Sequence, residues 1–469
     1  MNRSRRNFIQ GAAVAGAAAL SSSAAAQHQH HEHAAPQKSP GAAGAEPFLS
    51  IETPDIEKMP WEWDGGVKVF RIRCEVVKRE FLPGWTMDVW GFNGSMPGPT
   101  IEVQEGDRVR LIVENHLPET TSLHWHGLEV PIEMDGVMGL TQDGIDPGGS
   151  FTYEFTLHQN GTFFYHSHMP MQQMMGMIGF FIVHPKTPHL PAVQRDFGLI
   201  VQEWAVLPNN TIPNSLSMEF NWLTINGKVG PATTPLLVRQ GERARIRFVN
   251  LGMDHHPMHL HGNTFWVTGT EGMRIPQTAW IPGNTVLVGV AQSRDVEFDA
   301  HYQGDWMLHC HLPHHNMNHM ASMVGPLAHL GRGPRAGMGM EEGMGMVRRG
   351  TALSDENGPS FGRAMGVGAT NEETVSHLVG QQHQHQQHKA APNALLVPGY
   401  PQDHHMVLDE EVAKPETFGL RAGWSGAVMG MMTLVRVLPE AQFVRITAMR
   451  RNPSRVKPAK PTEHKHPAE

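Results

Sequence analysis

The chain contains the stretch His309-Cys310-His311-Leu312-Pro313-His314-His315-Asn316-Met317-Asn318-His319-Met320. In an extended strand, residues i and i+2 share a face while residue i+1 points to the other. On a strand, His309 and His311 would therefore face one metal site, and Cys310 a second. His315 and Met320 could fold back to the side of the thiolate. Thiolate, imidazole and a weak thioether form the ligand set of a blue-copper electron-transfer centre. The alternative is a histidine-rich segment with an incidental buried cysteine.

The composition favours a β-rich protein that handles metal. The 469 residues leave room for two or three domains, and 49 Gly and 35 Pro predict many turns. Imidazoles and thioethers prefer borderline and soft metals, and the chain has 31 His and 29 Met. Two cysteines exclude a disulfide framework. If Cys310 is a metal ligand, Cys74 is expected to be a buried, inert thiol. A net charge of −8 gives no reason to expect nucleic-acid binding.

Residues 1–26 are predicted to be a twin-arginine signal peptide. The motif Ser4-Arg5-Arg6-Asn7-Phe8-Ile9 precedes an Ala-rich apolar run that ends at Leu20, and Ala24-Ala25-Ala26 supplies small residues for cleavage before Gln27. The apolar run is too short to be a stable membrane anchor. We therefore expect a periplasmic or otherwise extracytoplasmic protein that is exported already folded.

An internal repeat predicts two homologous β domains. Short strand-like runs separated by turns are typical of a Greek-key sandwich or barrel. Asn93-Gly94-Ser95 resembles Asn226-Gly227-Lys228, and a histidine cluster begins nine residues after Asn115 and again nine residues after Asn250. The sequence thus predicts an all-β protein with domain 1 at residues 61–190 and domain 2 at residues 191–335.

The remaining segments are compositionally distinct. Residues 27–60 are predicted to be a disordered His-rich lead-in, and residues 336–398 a Met- and His-rich low-complexity linker. Residues 399–469 are predicted to be a partly ordered C-terminal extension with a basic tail. The apolar run around 427–438 could pack back on the domains or cover a neighbouring subunit.

Four His-x-His pairs, two in each repeat, carry the second chemical signal. On strands, each pair presents two imidazoles to one side. Eight imidazoles from two homologous domains could meet across an interface and hold a cluster of metals. Any single pair is weak evidence, but four pairs at matching places in two repeats are strong evidence. The pairs are His124/His126, His166/His168, His259/His261 and His309/His311.

These motifs resemble the four copper motifs of the multicopper oxidases, in the order typical of that family. The resemblance covers about residues 61–335 and implies cupredoxin domains, with one-electron oxidation of a substrate coupled to the four-electron reduction of O2 to water. The motifs are Ser122-Leu123-His124-Trp125-His126-Gly127, Gly161-Thr162-Phe163-Phe164-Tyr165-His166-Ser167-His168, His256-Pro257-Met258-His259-Leu260-His261-Gly262 and Gly304-Asp305-Trp306-Met307-Leu308-His309-Cys310-His311.

The resemblance implies four coppers in each active unit. His256, Cys310, His315 and axial Met320 match the ligands of the type 1 copper, and His124 and His259 match those of the type 2 copper. Asp135 resembles an acidic residue near the type 2 copper, where it would deliver protons or position a ligand; the alternative is a plain turn aspartate. Cys310 would receive the electron, which His309 and His311 pass on. The ligands that match the paired type 3 coppers are His126, His166, His168, His261, His309 and His311.

Two departures define the subtype. Ser167 stands where domain 2 has Cys310, and a hydroxyl cannot replace a soft thiolate. Only 88 positions separate His168 from His256, which leaves no room for a middle domain. The chain thus resembles the two-domain, small-laccase-like branch with type 1 copper in domain 2. That resemblance implies a homotrimer whose trinuclear sites form between domain 1 of one subunit and domain 2 of the next.

The reducing substrate is expected to be a phenol, an aromatic amine or a metal ion such as Cu(I). The run Gly337-Met338-Gly339-Met340-Glu341-Glu342-Gly343-Met344-Gly345-Met346 could collect Cu(I) through its thioethers. Two alternatives stay open. One is a periplasmic protein that sequesters copper without turnover, and the less favoured one is a copper nitrite reductase, which would need a type 1 cysteine in domain 1.

Overall fold

A computed structural model describes residues 48–206, 210–215, 217–218, 220–316 and 407–451, which form mostly strands. The first domain contains β1 (Trp61–Asp64), β2 (Val67–Leu82), β3 (Trp85–Phe92), β4 (Gly98–Gln104), β5 (Arg108–Asn115), β6 (Leu123–His126), β7 (Ser150–Thr156), β8 (Gly161–Ser167), α1 (Pro170–Met174) and β9 (Ile178–His184).

The second domain holds the remaining strands and one longer helix. They are β10 (Arg195–Trp204), β11 (Trp222–Ile225), β12 (Leu236–Arg239), β13 (Arg243–Asn250), β14 (His256–Leu260), β15 (Phe265–Thr270), β16 (Met273–Arg274), β17 (Ile281–Gly283), β18 (Thr285–Val288), β19 (Gln292–Asp299), β20 (Gly304–Cys310), β21 (Met432–Leu438) and α2 (Glu440–Arg451). Short 3-10 helices lie at Ile132–Met134, Gln277–Ala279, Pro313–Asn316, Asp409–Val412, Pro415–Thr417 and Trp424–Ala427.

Each domain is a sandwich of two sheets. In the first, a sheet ordered β1-β2-β5-β7, with β3 on β2, packs against a sheet ordered β4-β9-β8-β6. In the second, a sheet ordered β11-β10-β13-β19-β15-β16, with β17 on β15, packs against a sheet ordered β12-β21-β20-β14-β18. Apolar side chains from the two inner faces form each core, as expected for strands whose side chains alternate between faces. The predicted all-β class with two cupredoxin-like domains is confirmed.

The repeat extends to the turns and the strand pairing. Asn93 and Asn226 both have positive φ angles, 50° and 52°, and each is followed by a glycine with positive φ. Two successive positive φ angles build a tight hairpin turn that asparagine and glycine tolerate best. The orders β4-β9-β8-β6 and β12-β21-β20-β14 also correspond strand by strand. β21 is therefore the counterpart of β9.

The prediction of a disordered lead-in over residues 27–60 is wrong for residues 48–60. Ile51 and Ile56 are buried among apolar side chains of both domains. Glu52 pairs with Phe197 of the second domain, and Lys58 pairs with Thr100 of the first. The segment follows the groove between the sandwiches, because its two isoleucines find an apolar cluster there. Residues 1–47 lie outside the described residues.

The C-terminal extension completes the second sandwich. β21 lies between β12 and β20, parallel to the first and antiparallel to the second. All seven of its residues are buried, so the second domain is larger than the predicted 191–335. α2 follows directly and packs Phe443 and Ile446 against Leu237 and Leu438. The predicted linker at 336–398 lies outside the described residues.

A buried ion cluster joins the two domains. The carboxylate of Asp196 accepts hydrogen bonds from Arg245 and Arg247, at 2.9 Å from each Nε. Arg247 also donates to Thr162 of the first domain at 2.7 Å, and Thr162 donates to Asp295 at 2.7 Å. The side chain of Asp196 is fully buried, and the two guanidinium groups hold the pKa of its carboxyl well below the usual range against the cost of burial.

No helix among the described residues is long and apolar enough to cross a membrane.

Removing the buried carboxylate should destabilise the protein strongly. Asp196→Ala leaves the Arg245 and Arg247 charges buried without their partner, and we expect the free energy of unfolding to fall by about 3–5 kcal/mol. Asp299→Ala is the matched control, because Asp299 pairs with Arg243 at a side-chain exposure of 46%; it should cost about 1 kcal/mol or less. Chemical denaturation measures both. Equal losses would contradict a structural role for the buried cluster.

Candidate metal centres

Three predicted type 1 ligands converge inside the second sandwich. The Sγ atom of Cys310 lies 3.4 Å from Nδ1 of His315 and 3.7 Å from Nδ1 of His256, and the two nitrogens are 3.2 Å apart. Cys310 ends β20, His256 begins β14, and His315 comes from the 3-10 helix that follows β20. All three residues are buried, and their ligand atoms lie within 4.8 Å of one another. One soft sulfur and two imidazole nitrogens at this spacing fit a single copper ion.

Burial sets the protonation of this group. Desolvation raises the pKa of the Cys310 thiol to about 12, so the thiolate needs a bound cation to form at neutral pH. Desolvation also lowers the pKa of His315 to about 4, and the neighbouring His256 lowers it further. The imidazole of His315 is therefore neutral near pH 7, which leaves a lone pair for a metal.

Two carboxylates that the sequence did not single out lie behind the imidazoles. Oε2 of Glu203 lies 2.9 Å from Nε2 of His256, and both side chains are fully buried. Glu203 also accepts hydrogen bonds from the backbone N–H groups of Met253 and Asp254. Asp254, which is 40% exposed, lies 3.5 Å from Nε2 of His315. A carboxylate on Nε2 orients the ring so that Nδ1 faces the metal.

Four imidazoles of the first domain form one group, which we call quartet 1: His124, His126, His166 and His168. The first two lie on β6 and the third on the neighbouring β8, where His124 pairs directly with His166. Nδ1 of His126 lies 3.4 Å from Nε2 of His166. The ligand atoms of His124, His126 and His166 lie within 4.8 Å of one another, and the ring of His168 lies 5.4 Å from that of His124.

The second domain repeats this arrangement in quartet 2: His259, His261, His309 and His311. His259 on β14 pairs with His309 on β20. Nε2 of His261 lies 3.1 Å from Nε2 of His309, and neighbouring ring centroids are 4.8–5.6 Å apart. His311 is exposed and His259 and His261 are partly exposed.

Hydrogen bonds to main-chain carbonyls fix the rings in both quartets. Nδ1 of His124 donates to the carbonyl of Asp135 at 2.7 Å, and Nδ1 of His259 donates to that of Asn284 at 2.8 Å. His166 and His309 each donate from Nδ1 to the carbonyl of the next residue, at 2.7 and 2.8 Å. Each bond leaves Nε2 free as a metal ligand.

The two quartets stay apart within one chain. Among the described residues, the histidine–histidine ring contacts and charge interactions run inside quartet 1 or inside quartet 2 and do not join them. Each quartet is thus half of the predicted eight-imidazole cluster.

Asp135 lies beside quartet 1. It ends a 3-10 helix, and its Oδ1 lies 3.4 Å from Nδ1 of His124, whose ring its own carbonyl holds. Asp135 thus contacts a predicted metal ligand, and its role at a metal site stays a prediction. Met320, the predicted axial ligand, lies outside the described residues, as does the Gly-Met run at 337–346.

Domain 1 has a polar cluster where domain 2 has the thiolate site. Counted from the matching His-x-His pairs, Thr121, Ser167 and Gln172 correspond to His256, Cys310 and His315. Oε1 of Gln172 accepts hydrogen bonds from Ser167 at 2.6 Å and from Thr121 at 2.7 Å, and all three side chains are fully buried. The sequence pointed to Ser167 alone, although aligning the two repeats would have found the other two. Hydroxyls and an amide satisfy one another here without a metal.

Two models of protein families, both described as Multicopper oxidase, match residues 74–188 and residues 206–325. The chain belongs to the multicopper oxidase family. The two matches together cover half of the chain, and one falls on each sandwich.

Curated relatives match shorter parts of the chain. Copper resistance protein A homolog of Pseudomonas syringae pv. tomato is 44% identical over 113 residues, which are 24% of this chain and 19% of that protein. Laccase-2 of Botryotinia fuckeliana is 31% identical over 246 residues, 47% of this chain and 41% of that one. The chain thus spans less than half of the length of these relatives. Among solved structures, Blue Copper Oxidase from Nitrosomonas europaea has a TM-score of 0.49 at 31% identity, over 54% of this chain and 81% of that chain.

The metal-free protein of this multicopper oxidase should lose stability in mild acid. Desolvation lowers the pKa of His126 to about 4 and that of His166 to about 3, below the 6.5 of an ordinary imidazole. As pH falls from 6.5 towards 4, these histidines become protonated in the unfolded chain while they stay neutral in the native state. The free energy of unfolding therefore falls through this pH range. The thermal midpoint at pH 6.5 and pH 4.5 measures the loss. A His166→Gln variant, which cannot titrate there, should lose less; an equal loss would contradict the assignment.

Proposed function

We propose that this chain is a laccase-like multicopper oxidase with one type 1 copper, one type 2 copper and two type 3 coppers in each active unit. The observation that supports the proposal is the segment at the end of β20, in which Cys310 belongs to the buried thiolate site while its neighbours, His309 on the strand and His311 just after it, belong to quartet 2. When bound, the coppers accept single electrons from a reducing substrate and reduce O2 to water. His256, Cys310 and His315 would hold the type 1 copper together with the sulfur of one methionine. His124 and His259 would hold the type 2 copper, and the other six histidines the type 3 pair.

The protein's own contribution is to hold the ligands and to connect the two centres. Three consecutive residues at the end of β20 give a short covalent path from the Cys310 sulfur to the imidazoles of His309 and His311. Glu203 keeps Nδ1 of His256 directed at the sulfur. Asp135 beside His124 is the residue we assign to proton delivery, because O2 reduction consumes protons and this carboxylate is partly exposed to solvent.

The reductant class we favour includes metal ions such as Cu(I) as well as phenols and aromatic amines. The partly exposed carboxylate of Asp254 lies beside His315. The carboxylate of Glu203 lies further inside, where it accepts a hydrogen bond from the backbone N–H of Asp254. Negative charge at this entry attracts a cation more than a neutral phenol. The name of the relative Copper resistance protein A agrees with copper as a substrate. A role of the Gly-Met run at 337–346 in collecting Cu(I) stays a prediction.

We further propose a homotrimer exported to the periplasm. Quartet 2 has three rings partly or fully open to the surface, and a metal cluster needs the imidazoles of quartet 1, which the same chain does not bring to it. Domain 1 of a neighbouring subunit can supply them. Export rests on the twin-arginine motif in residues 1–26.

Two alternatives predict different behaviour. A copper-sequestering protein would bind copper without consuming O2, and a copper nitrite reductase would carry its type 1 cysteine in domain 1. The hydrogen-bonded Thr121, Ser167 and Gln172 disfavour the second. O2 consumption during substrate oxidation distinguishes the proposed oxidase from a copper-sequestering protein.

Cys310→Ser should abolish the blue absorption band and the oxidation of both Cu(I) and a phenol, while about three of four coppers remain, because a hydroxyl cannot replace the thiolate. Copper analysis, visible absorption and O2 uptake measure this. Cys74→Ser is the control, since Cys74 is buried in the core of domain 1, and it should keep both band and turnover. Copper bound by the wild type without O2 uptake would leave sequestration as the function.

Analytical ultracentrifugation of the copper-loaded protein should give a species of three chains. Activity per chain should fall on dilution as the trimer dissociates, because a single chain holds only half of the imidazole cluster. A fully active, copper-replete monomer would overturn the shared site.

A further inference from the structure

We infer that Met431, rather than Met320, supplies the axial thioether of the type 1 copper. The inference rests on the type 1 centre proposed above and concerns which sulfur completes it. Met320 is the tenth residue after Cys310, which is why the motif selects it. Domain 1 shows where a methionine with that spacing lies in this fold, and the corresponding place in domain 2 is held by Met431.

The reference position in domain 1 is Met177, the tenth residue after Ser167. The backbone N–H of Met177 donates to the carbonyl of Gln172 at 3.2 Å, and its carbonyl accepts from the N–H of Ser167 at 3.2 Å. Its side chain is fully buried in the domain core. β9 begins at the next residue, with Ile178 opposite His166.

Met431 repeats each of these contacts. Its N–H donates to the carbonyl of His315 at 2.8 Å, and its carbonyl accepts from the N–H of Cys310 at 3.0 Å. β21 begins at the next residue, with Met432 opposite His309. The main chain at Met431 is therefore bonded to both residues that carry ligands, as the main chain at Met177 is bonded to their counterparts.

The side chain of Met431 is placed to reach the same metal. Continuing the register of β20 and β21 puts Met431 opposite Cys310, and residues directly opposite in an antiparallel pair share a face. Met431 and Cys310 are both fully buried in one apolar cluster. A thioether is the soft, neutral and weak donor that an axial position requires.

Met258 is the rival sulfur. It lies opposite Cys310 on the other neighbouring strand, β14, and belongs to the same cluster. The backbone N–H of Cys310 donates to the carbonyl of Met431 and not to that of Met258, and the counterpart of Met258 in domain 1 is Leu123, opposite Ser167. Met431 therefore fits the position better.

The test compares Met431→Leu, Met431→Gln, Met320→Leu and Met258→Leu in the full-length, copper-loaded protein. The blue absorption band, the electron paramagnetic resonance spectrum and a redox titration of the band are measured. Met431→Leu should raise the type 1 potential, because loss of a donor disfavours Cu(II). Met431→Gln should lower it, because an amide oxygen is harder and favours Cu(II). Leucine is close to methionine in volume, which keeps the core packed.

Met320→Leu and Met258→Leu should leave the potential and both spectra as in the wild type. A shift with Met320→Leu or Met258→Leu would overturn the inference, as would unchanged potentials in folded Met431 variants. If Met431→Leu does not fold, Met431→Ile is the second variant, and an unchanged potential in that folded protein would also overturn the inference. A wild-type protein without a blue band would instead refute the type 1 centre itself.

Discussion

The alternation of side chains along β20 is the constraint on which the proposed metal chemistry depends. A strand directs successive residues to opposite faces, so the neighbours Cys310 and His309 serve different sites without any loop between them. The sandwich fixes this arrangement, since β20 lies between β14 and β21 and is paired on both edges. β14 then adds His256 to one site and His259 to the other by the same rule. Two adjacent strands thus define most of both centres in domain 2.

The surroundings of these ligands decide their chemistry as much as their spacing does. Burial keeps the imidazole of His315 neutral and the Cys310 thiol protonated until a cation is present. A carboxylate or carbonyl that is hydrogen-bonded to one ring nitrogen of a histidine fixes the ring so that the other nitrogen faces the candidate metal site. In domain 1 the same geometric position holds Thr121, Ser167 and Gln172, which bond one another. The fold is shared by both domains, and three side chains make the difference between a candidate metal site and a polar core.

Periodic and repeated features could be predicted from the sequence. The similarity of Asn93-Gly94 and Asn226-Gly227 corresponds to matching turns, and the His-x-His pairs fall on or beside strands because their spacing of two is the strand period. Features set by distant contacts could not be predicted. Glu203 is a single acid at the end of a strand and has no spacing signal. The lead-in looked disordered by composition, although Ile51 and Ile56 find a cluster built by both domains. The partners of β21 were left open, because residues 317–406 separate it from β20.

The position of β21 also has a consequence for biosynthesis. The pocket around Cys310 is formed by segments near residues 203, 256, 310–315 and 431. The segment near residue 431 is the last of these to be synthesised. Contacts between residues so far apart in sequence form late and slowly. A nascent chain that has just emerged past Cys310 therefore exposes its thiol and imidazoles without the strand that encloses them. The pocket therefore closes only after the whole chain has been synthesised, which sets the earliest time at which the metal proposed for this site can be enclosed.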